Sequence, residues 1–126
     1  MDKLPEAIVS AIRDGKILGI RAGAGRPLHR VIGVWAVVVE GHVFVRSWSL
    51  KPRSWWRTFQ DDPRGVIVVG SRRPIPVRAV GTRSERLKDL VSRAYLSKYS
   101  TPWSLKFARD LGRKKSRETT TELLPR

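Results

Sequence analysis

The nine-residue segment Val31–Val39, VIGVWAVVV, most constrains the fold because it is apolar at both odd and even positions. A strand with two apolar faces must be covered on both sides. In a chain of 126 residues, the size of one domain with one core, it predicts a central strand. One face would line a barrel interior, and the other would pack against a helix or a partner subunit. Glu40-Gly41 predicts a tight hairpin, so His42–Ser47 should return as the next strand.

Apolar spacing in the rest of the chain predicts strands and helices joined mainly by short turns. Further strands are predicted at Lys16–Ala22, Gly65–Val69, Ile75–Gly81 and Thr119–Leu124. Helices are predicted at Pro5–Arg13, from Ser54 to Phe59, from a Thr82–Glu85 capping box to about Lys98, and from Thr101-Pro102 to Gly112. Six strands joined mainly by hairpins predict an α+β protein that is mainly β, a small antiparallel barrel forming one domain over residues 1–126.

The stretch from the third strand into the short aromatic helix predicts a phosphate cradle. No acidic residue occurs from Gly41 to Gln60, and Arg46, Ser47, Lys51 and Arg53 lie around one turn. Guanidinium, ammonium, hydroxyl and backbone N–H groups that converge in this way bind phosphate well. The alternative is a basic surface loop anchored by tryptophans. Arg46 shares a strand face with Phe44, so it needs a partner, which is either a ligand phosphate or a carboxylate such as Glu40.

The charge predicts an anionic partner. The chain has 26 Lys and Arg against 11 Asp and Glu, a formal net charge of +15. Such a balance attracts nucleic acid, phosphorylated cofactors and anionic lipid. A nucleic-acid-binding module is therefore the second interpretation, based on the basic cluster Arg113–Arg117 and on basic residues between Trp48, Trp55 and Trp56. No helix-turn-helix or RNA-recognition signature supports it.

Several other chemistries find no support in the residues. The chain has no cysteine, and its two histidines, His29 and His42, have no obvious Asp-Ser constellation and form no credible zinc site. The loop Gly23–Pro27 lacks the third glycine and the following helix of a dinucleotide fingerprint. Neither a signal peptide nor an apolar segment of membrane-spanning length is evident. We therefore expect a cytoplasmic protein without membrane insertion and without a metal.

Three motifs resemble one superfamily. The pattern V-W-x-V-V-x-x-G-x-V-F-V-R-S (Val34 to Ser47), followed by W-W-R (Trp55 to Arg57), resembles the FMN-binding split barrels related to pyridoxamine phosphate oxidase. The pattern x-D-P-x-G-V-I-V-x-G at Asp61–Gly70 is similar to the turn and strand that follow in that superfamily. The ending T-T-T-E-L-L-P-R (Thr119–Arg126) resembles a small bacterial domain-of-unknown-function branch related to deazaflavin-dependent nitroreductases.

The resemblance implies a six-stranded antiparallel split β-barrel with three to four helices, usually a homodimer. It implies that FMN or a deazaflavin lies at the subunit interface and that the protein is an oxidoreductase, whose substrate the sequence leaves open. The positions carried over for cofactor binding are Arg46, Ser47, Lys51 and Arg57, with Trp48 or Trp56 flanking the ring. The chain departs from the superfamily at Ser49–Pro52, which replaces a glycine-rich turn, and it lacks an evident paired Ser-Arg motif. A cofactor-free dimeric binding protein is the third interpretation.

Overall fold

A computed structural model describes residues 3–23 and 30–126. His29 and most of the predicted loop Gly23–Pro27 lie outside the described residues. The helices and strands in chain order are α1 (Glu6–Asp14), β1 (Leu18–Ala22), β2 (Ile32–Val34), β3 (Ala36–Val39), β4 (His42–Val45), α2 (Trp55–Asp61), β5 (Arg64–Val68), β6 (Ile75–Gly81), α3 (Glu85–Lys98), α4 (Pro102–Asp110), α5 (Lys114–Arg117) and β7 (Thr121–Pro125).

The strands form one antiparallel sheet that curls into a nearly closed barrel. The strand order is β2-β1-β5-β6-β7-β4-β3, so the two ends of the sheet are strands that follow each other in the chain. Only Trp35 separates them. The segment Val31–Val39 is therefore not one central strand: the chain pairs with β1 before Trp35 and with β4 after it. This change of partner divides the segment in two, and the described residues contain seven strands rather than the predicted six.

The predicted helices are present, with one addition. The Ser54 hydroxyl accepts a hydrogen bond from the Arg57 N–H and caps α2, and Thr101 caps α4 in front of Pro102, as the sequence predicts. Ser84, rather than Thr82, caps α3. The basic connector forms the short helix α5, so the described residues contain five helices instead of three to four. In the described part of the chain, no helix has the length and apolar character needed to span a membrane.

Two apolar clusters divide the core. The first fills the barrel and includes Ile20, Val45, Ile67, Val77 and Leu123. The second lies between the outer face of the β3–β4 hairpin and helices α3 and α4, and includes Val37, Phe44, Val91, Tyr95 and Leu111. Strand β3 is thus covered on both faces, as its sequence predicts, and helix α3 supplies the second layer.

Candidate functional site

A pocket with tryptophan walls opens where β4 ends and the chain turns toward α2. Its volume is about 450 Å³. A second cavity of about 670 Å³ adjoins it and shares Ile32, Arg53 and Trp55 with it. The side chains lining the first pocket are mainly apolar or basic and include Ile32, Val34, Trp35, Trp48, Lys51, Arg53 and Trp55. We call this space the tryptophan pocket.

Contacts between aromatic rings fix the side chains that form the pocket walls. Trp35 stacks on Tyr99 with ring centroids 3.9 Å apart and planes inclined by 2°, and Trp48 meets Trp35 edge-on at 5.5 Å. The Tyr95 hydroxyl donates a 2.7 Å hydrogen bond to the Trp35 carbonyl and accepts one of 3.1 Å from the Arg46 N–H. Burial raises the pKa of Tyr95, so the hydroxyl keeps its proton. This bridge fixes Trp35 relative to the end of β4.

Arg46 does not offer its guanidinium to the tryptophan pocket. Its side chain is buried, and the residue is 2% exposed. Nε donates to the Thr120 hydroxyl at 2.8 Å, Nη1 donates to the Ser92 hydroxyl at 2.7 Å and the Leu111 carbonyl at 2.9 Å, and Nη2 donates to the Lys88 carbonyl at 2.6 Å. Burial lowers the pKa of Arg46 to about 10. The sequence predicted a phosphate or a carboxylate as its partner, whereas the partners in the structure are neutral oxygens.

Glu40, the carboxylate suggested for Arg46, pairs with a different arginine. Its two oxygens accept hydrogen bonds of 2.8 Å and 3.1 Å from the Arg86 guanidinium at the surface. Arg46 instead joins α3 and the end of α4 to β7 through the four bonds above. The buried guanidinium thus has protein partners for all three of its nitrogen atoms, and it links separate segments of the scaffold.

Ser47 is likewise occupied by protein groups. Its hydroxyl donates to the Ser49 carbonyl at 2.6 Å, and its N–H donates to the Thr119 hydroxyl at 2.8 Å. Both groups are bonded to protein, whereas the sequence predicts that they are free to turn toward a ligand. Thr119 in turn donates to the Ser116 carbonyl at 2.6 Å, so the start of the loop is tied to the segment before β7. Ser47 therefore shapes the loop and has no free hydroxyl proton for phosphate.

Lys51 and Arg53 are the cations that the loop presents to the pocket. Both are exposed, both line it, and within the described ranges neither side chain has a hydrogen-bond or ion-pair partner. The loop that carries them is held by the Ser54 N–H, which donates to the Lys51 carbonyl at 3.0 Å. Arg53 was missing from the predicted cofactor-binding set, although its place in the basic turn was the signal that pointed to it.

Trp48 and Trp56 line two different cavities. Trp48 lines the tryptophan pocket and is about half exposed. Trp56 lines another cavity, formed mainly with the end of β6. The Arg57 guanidinium lies 5.0 Å from the centroid of the Trp56 ring, and its Nε donates to the Leu50 carbonyl at 2.9 Å. Four of the six predicted residues, Arg46, Ser47, Trp48 and Lys51, therefore line the tryptophan pocket. The polar side chains of Arg46 and Ser47 are bonded to protein groups.

Outside the pocket, histidine and carboxylate side chains are the candidates for metal ligands within the described residues. The His42 Nδ1 atom contacts the carboxylate of Glu122 on the neighbouring strand β7. In residues 3–23 and 30–126, no three His, Cys, Asp or Glu side chains form a group that could hold a metal ion. The arrangement near the tryptophan pocket can bind a flat apolar group between aromatic walls and an anionic group at the basic rim.

Solved structures of several proteins share this fold. A conserved hypothetical protein from Mycobacterium tuberculosis is 12% identical with a TM-score of 0.59, over 98% of this chain and 80% of that one. An F420-H2 dependent reductase is 15% identical with a TM-score of 0.58, over 86% and 93% of the two chains. A FAD-binding protein from Mesorhizobium loti is 13% identical with a TM-score of 0.59, over 99% and 90%. At these identities the likeness establishes the fold.

The sequence comparisons give one family. No curated protein matches the chain. A family model matches residues 9–123, which include all seven strands except the last residues of β7. The chain therefore belongs to the family of uncharacterized proteins conserved in bacteria known as DUF2255.

Proposed function

We propose that the protein binds a phosphorylated flavin or deazaflavin in the tryptophan pocket and acts as an oxidoreductase. The observation that carries this proposal is the combination of an apolar cavity of about 450 Å³ with two cations at its rim that have no partner in the described part of the chain. Ligand sites of this kind bind an apolar ring by burial and fix its orientation with a few polar groups.

The lining residues fit the two parts of such a cofactor. Trp35, Trp48 and Trp55 offer aromatic surface to a ring system, and Lys51 and Arg53 offer positive charge to a phosphate. A bound flavin or deazaflavin would supply the hydride-transfer chemistry, while the protein would orient it and tune its electrostatics. The proposed site therefore contains Trp48 and Lys51, which the sequence also predicts. It adds Arg53, Trp35 and Trp55. Arg46 and Ser47 support the site as part of the scaffold.

The structural neighbours support the choice of cofactor class. One of them is described as an F420-H2 dependent reductase and another as a FAD-binding protein.

The first expected result is cofactor binding by the wild-type protein. Titration with FMN, riboflavin and F420, followed by visible absorption and flavin fluorescence, should show saturable binding of FMN or F420. Riboflavin should bind more weakly than FMN because it lacks the phosphate that Lys51 and Arg53 would contact. If neither phosphorylated compound binds at millimolar concentration, the proposal fails and the cofactor-free interpretation takes its place.

Assembly is a second part of the proposal: we expect a homodimer that uses the outer face of β1 and β2. Gly19 and Gly33 lie opposite each other there, with Val31 packed over Gly19 and Ile17 over Gly33. Ile17 is 60% exposed and Val31 is 49% exposed. A flat face with large exposed apolar side chains is typical of a surface that associates.

Light scattering should therefore give twice the chain mass for the wild-type protein at micromolar concentration. Ile17→Glu should shift it to the monomer, because the substitution places a charge on the apolar face without disturbing a buried residue. Leu96→Glu is a control on another exposed apolar residue, on α3, and should stay dimeric. A monomeric wild-type protein would contradict the proposed assembly.

A further inference from the structure

A cleft with several basic side chains lies between α2, the end of β6 and the segment before β7. Its volume is about 630 Å³. Its walls carry Trp56 and Gln60 from α2, Arg78 and Arg83 from β6 and the residues after it, Lys88 from α3, and Glu118. None of these side chains lines the tryptophan pocket, so the cleft is a separate candidate site.

Three carboxylates beside the cleft share two cations. Lys88 lies 3.3 Å from both Glu118 and Glu85, and Arg117 lies 2.8 Å from both Glu85 and Asp89. Asp62, at the end of α2, contacts the Arg64 guanidinium at 3.0 Å. Arg78 and Arg83 are exposed, and among the described residues neither side chain has a hydrogen-bond or ion-pair partner. Arg78, Arg83 and Lys88 outnumber Glu118 among the side chains that line the cleft, so the lining carries a net positive charge.

The spacing of the two exposed arginines favours an extended anion over a single phosphate. Arg78 and Arg83 are five positions apart, which corresponds to roughly 15 Å of extended chain. One phosphate can contact only part of such a row, whereas a chain of phosphates can contact all of it.

We propose that this cleft binds single-stranded nucleic acid, with Arg78 and Arg83 on the phosphates and Trp56 as an aromatic surface for a base. Basic grooves with an aromatic side chain in the wall are the usual means of binding single strands without sequence preference. The formal net charge of +15 adds long-range attraction for any polyanion. This site gives Trp56 a role outside the tryptophan pocket and does not depend on cofactor binding.

The test is fluorescence anisotropy with a labelled single-stranded oligonucleotide, measured over a series of salt concentrations. Arg78→Gln/Arg83→Gln should weaken binding about tenfold or more. It should also reduce the slope of log K against log salt by about 1.4, because each lost contact to a single-stranded phosphate removes about 0.7. Trp56→Leu should weaken binding with little change in that slope, since stacking releases no counterion.

A matched control removes two arginines from the turn of the β5–β6 hairpin, at the opposite end of β6 from the cleft. Arg72 and Arg73 lie in the turn between β5 and β6, are exposed, and do not line the cleft. Arg72→Gln/Arg73→Gln should change affinity less than threefold. If both double variants lose affinity equally, only general charge attraction is present and the proposed site is wrong.

Two further measurements separate the alternatives. Duplex DNA should bind more weakly than the single strand, and equal binding that Trp56→Leu leaves unchanged would overturn the assignment to single strands. FMN titration of Arg78→Gln/Arg83→Gln should match the wild type, because the tryptophan pocket lies elsewhere. That result distinguishes failure of the nucleic-acid site from failure of the cofactor site.

Discussion

Replacing Arg46 with Met should lower the free energy of unfolding by about 3 kcal/mol, because four buried side-chain hydrogen bonds are lost. The guanidinium donates to two hydroxyls and to the Lys88 and Leu111 carbonyls, and the residue is almost fully buried. Met fills part of the space but donates nothing. Chemical denaturation followed by tryptophan fluorescence would measure the change.

Arg57→Met is the matched control because it makes the same substitution in the same basic stretch. Arg57 is exposed, and its side chain donates one hydrogen bond, to the Leu50 carbonyl, and contacts the Trp56 ring. Its replacement should cost about 1 kcal/mol or less. The preference for FMN over riboflavin should survive in folded Arg46→Met protein. If that preference disappears while stability is unchanged, Arg46 binds phosphate as the sequence first suggested.

The hairpins, caps and apolar patterns of this chain could be predicted from sequence because their causes are local. The Glu40-Gly41 turn places both residues at positive φ, and the structure forms the hairpin there. The division of Val31–Val39 at Trp35 could not be predicted in this way. It depends on which strands close the barrel. The order β2-β1-β5 at one end of the sheet and β7-β4-β3 at the other is set by pairing between strands that are distant in the sequence. An apolar run has the same residue pattern whether it pairs with one partner strand or with two in succession.

The sequence locates the basic stretch along the chain but does not determine which way its side chains point. The basic stretch after β4 does border a pocket, because a strand end and a loop determine position along the chain. Side-chain direction depends on tertiary packing: Arg46 and Ser47 bind segments 42 or more positions away in the sequence, apart from the local bond of Ser47 to Ser49. Trp55 and Trp56, neighbours on one short helix, line different cavities. A list of residue types near a turn cannot separate these cases.

Lys51→Gln/Arg53→Gln should weaken FMN binding about thirtyfold while riboflavin binding changes less than about twofold. Each cation is at the rim of the tryptophan pocket and has no competing partner within the described residues. One charge-assisted contact to phosphate at an exposed rim contributes about 1 kcal/mol, and two together correspond to a factor of about 30. Because riboflavin has the same ring but no phosphate, the ratio of the two affinities isolates this contribution. The free energy of unfolding should be nearly unchanged, since both side chains are exposed and neither has a hydrogen-bond or ion-pair partner among residues 3–23 and 30–126.

The control for this pair is Arg93→Gln/Arg109→Gln, which removes the same charge from exposed positions on α3 and α4 that do not line the tryptophan pocket. It should weaken FMN binding by less than about threefold at physiological salt, because charges beyond the Debye length of about 8 Å are largely screened. Raising the salt concentration should reduce the difference in affinity between FMN and riboflavin for the wild-type protein. The same difference should hardly change with salt for the Lys51→Gln/Arg53→Gln variant. Equal losses in the two double variants would mean that FMN responds to overall charge, and the phosphate would then have to be placed away from Lys51 and Arg53.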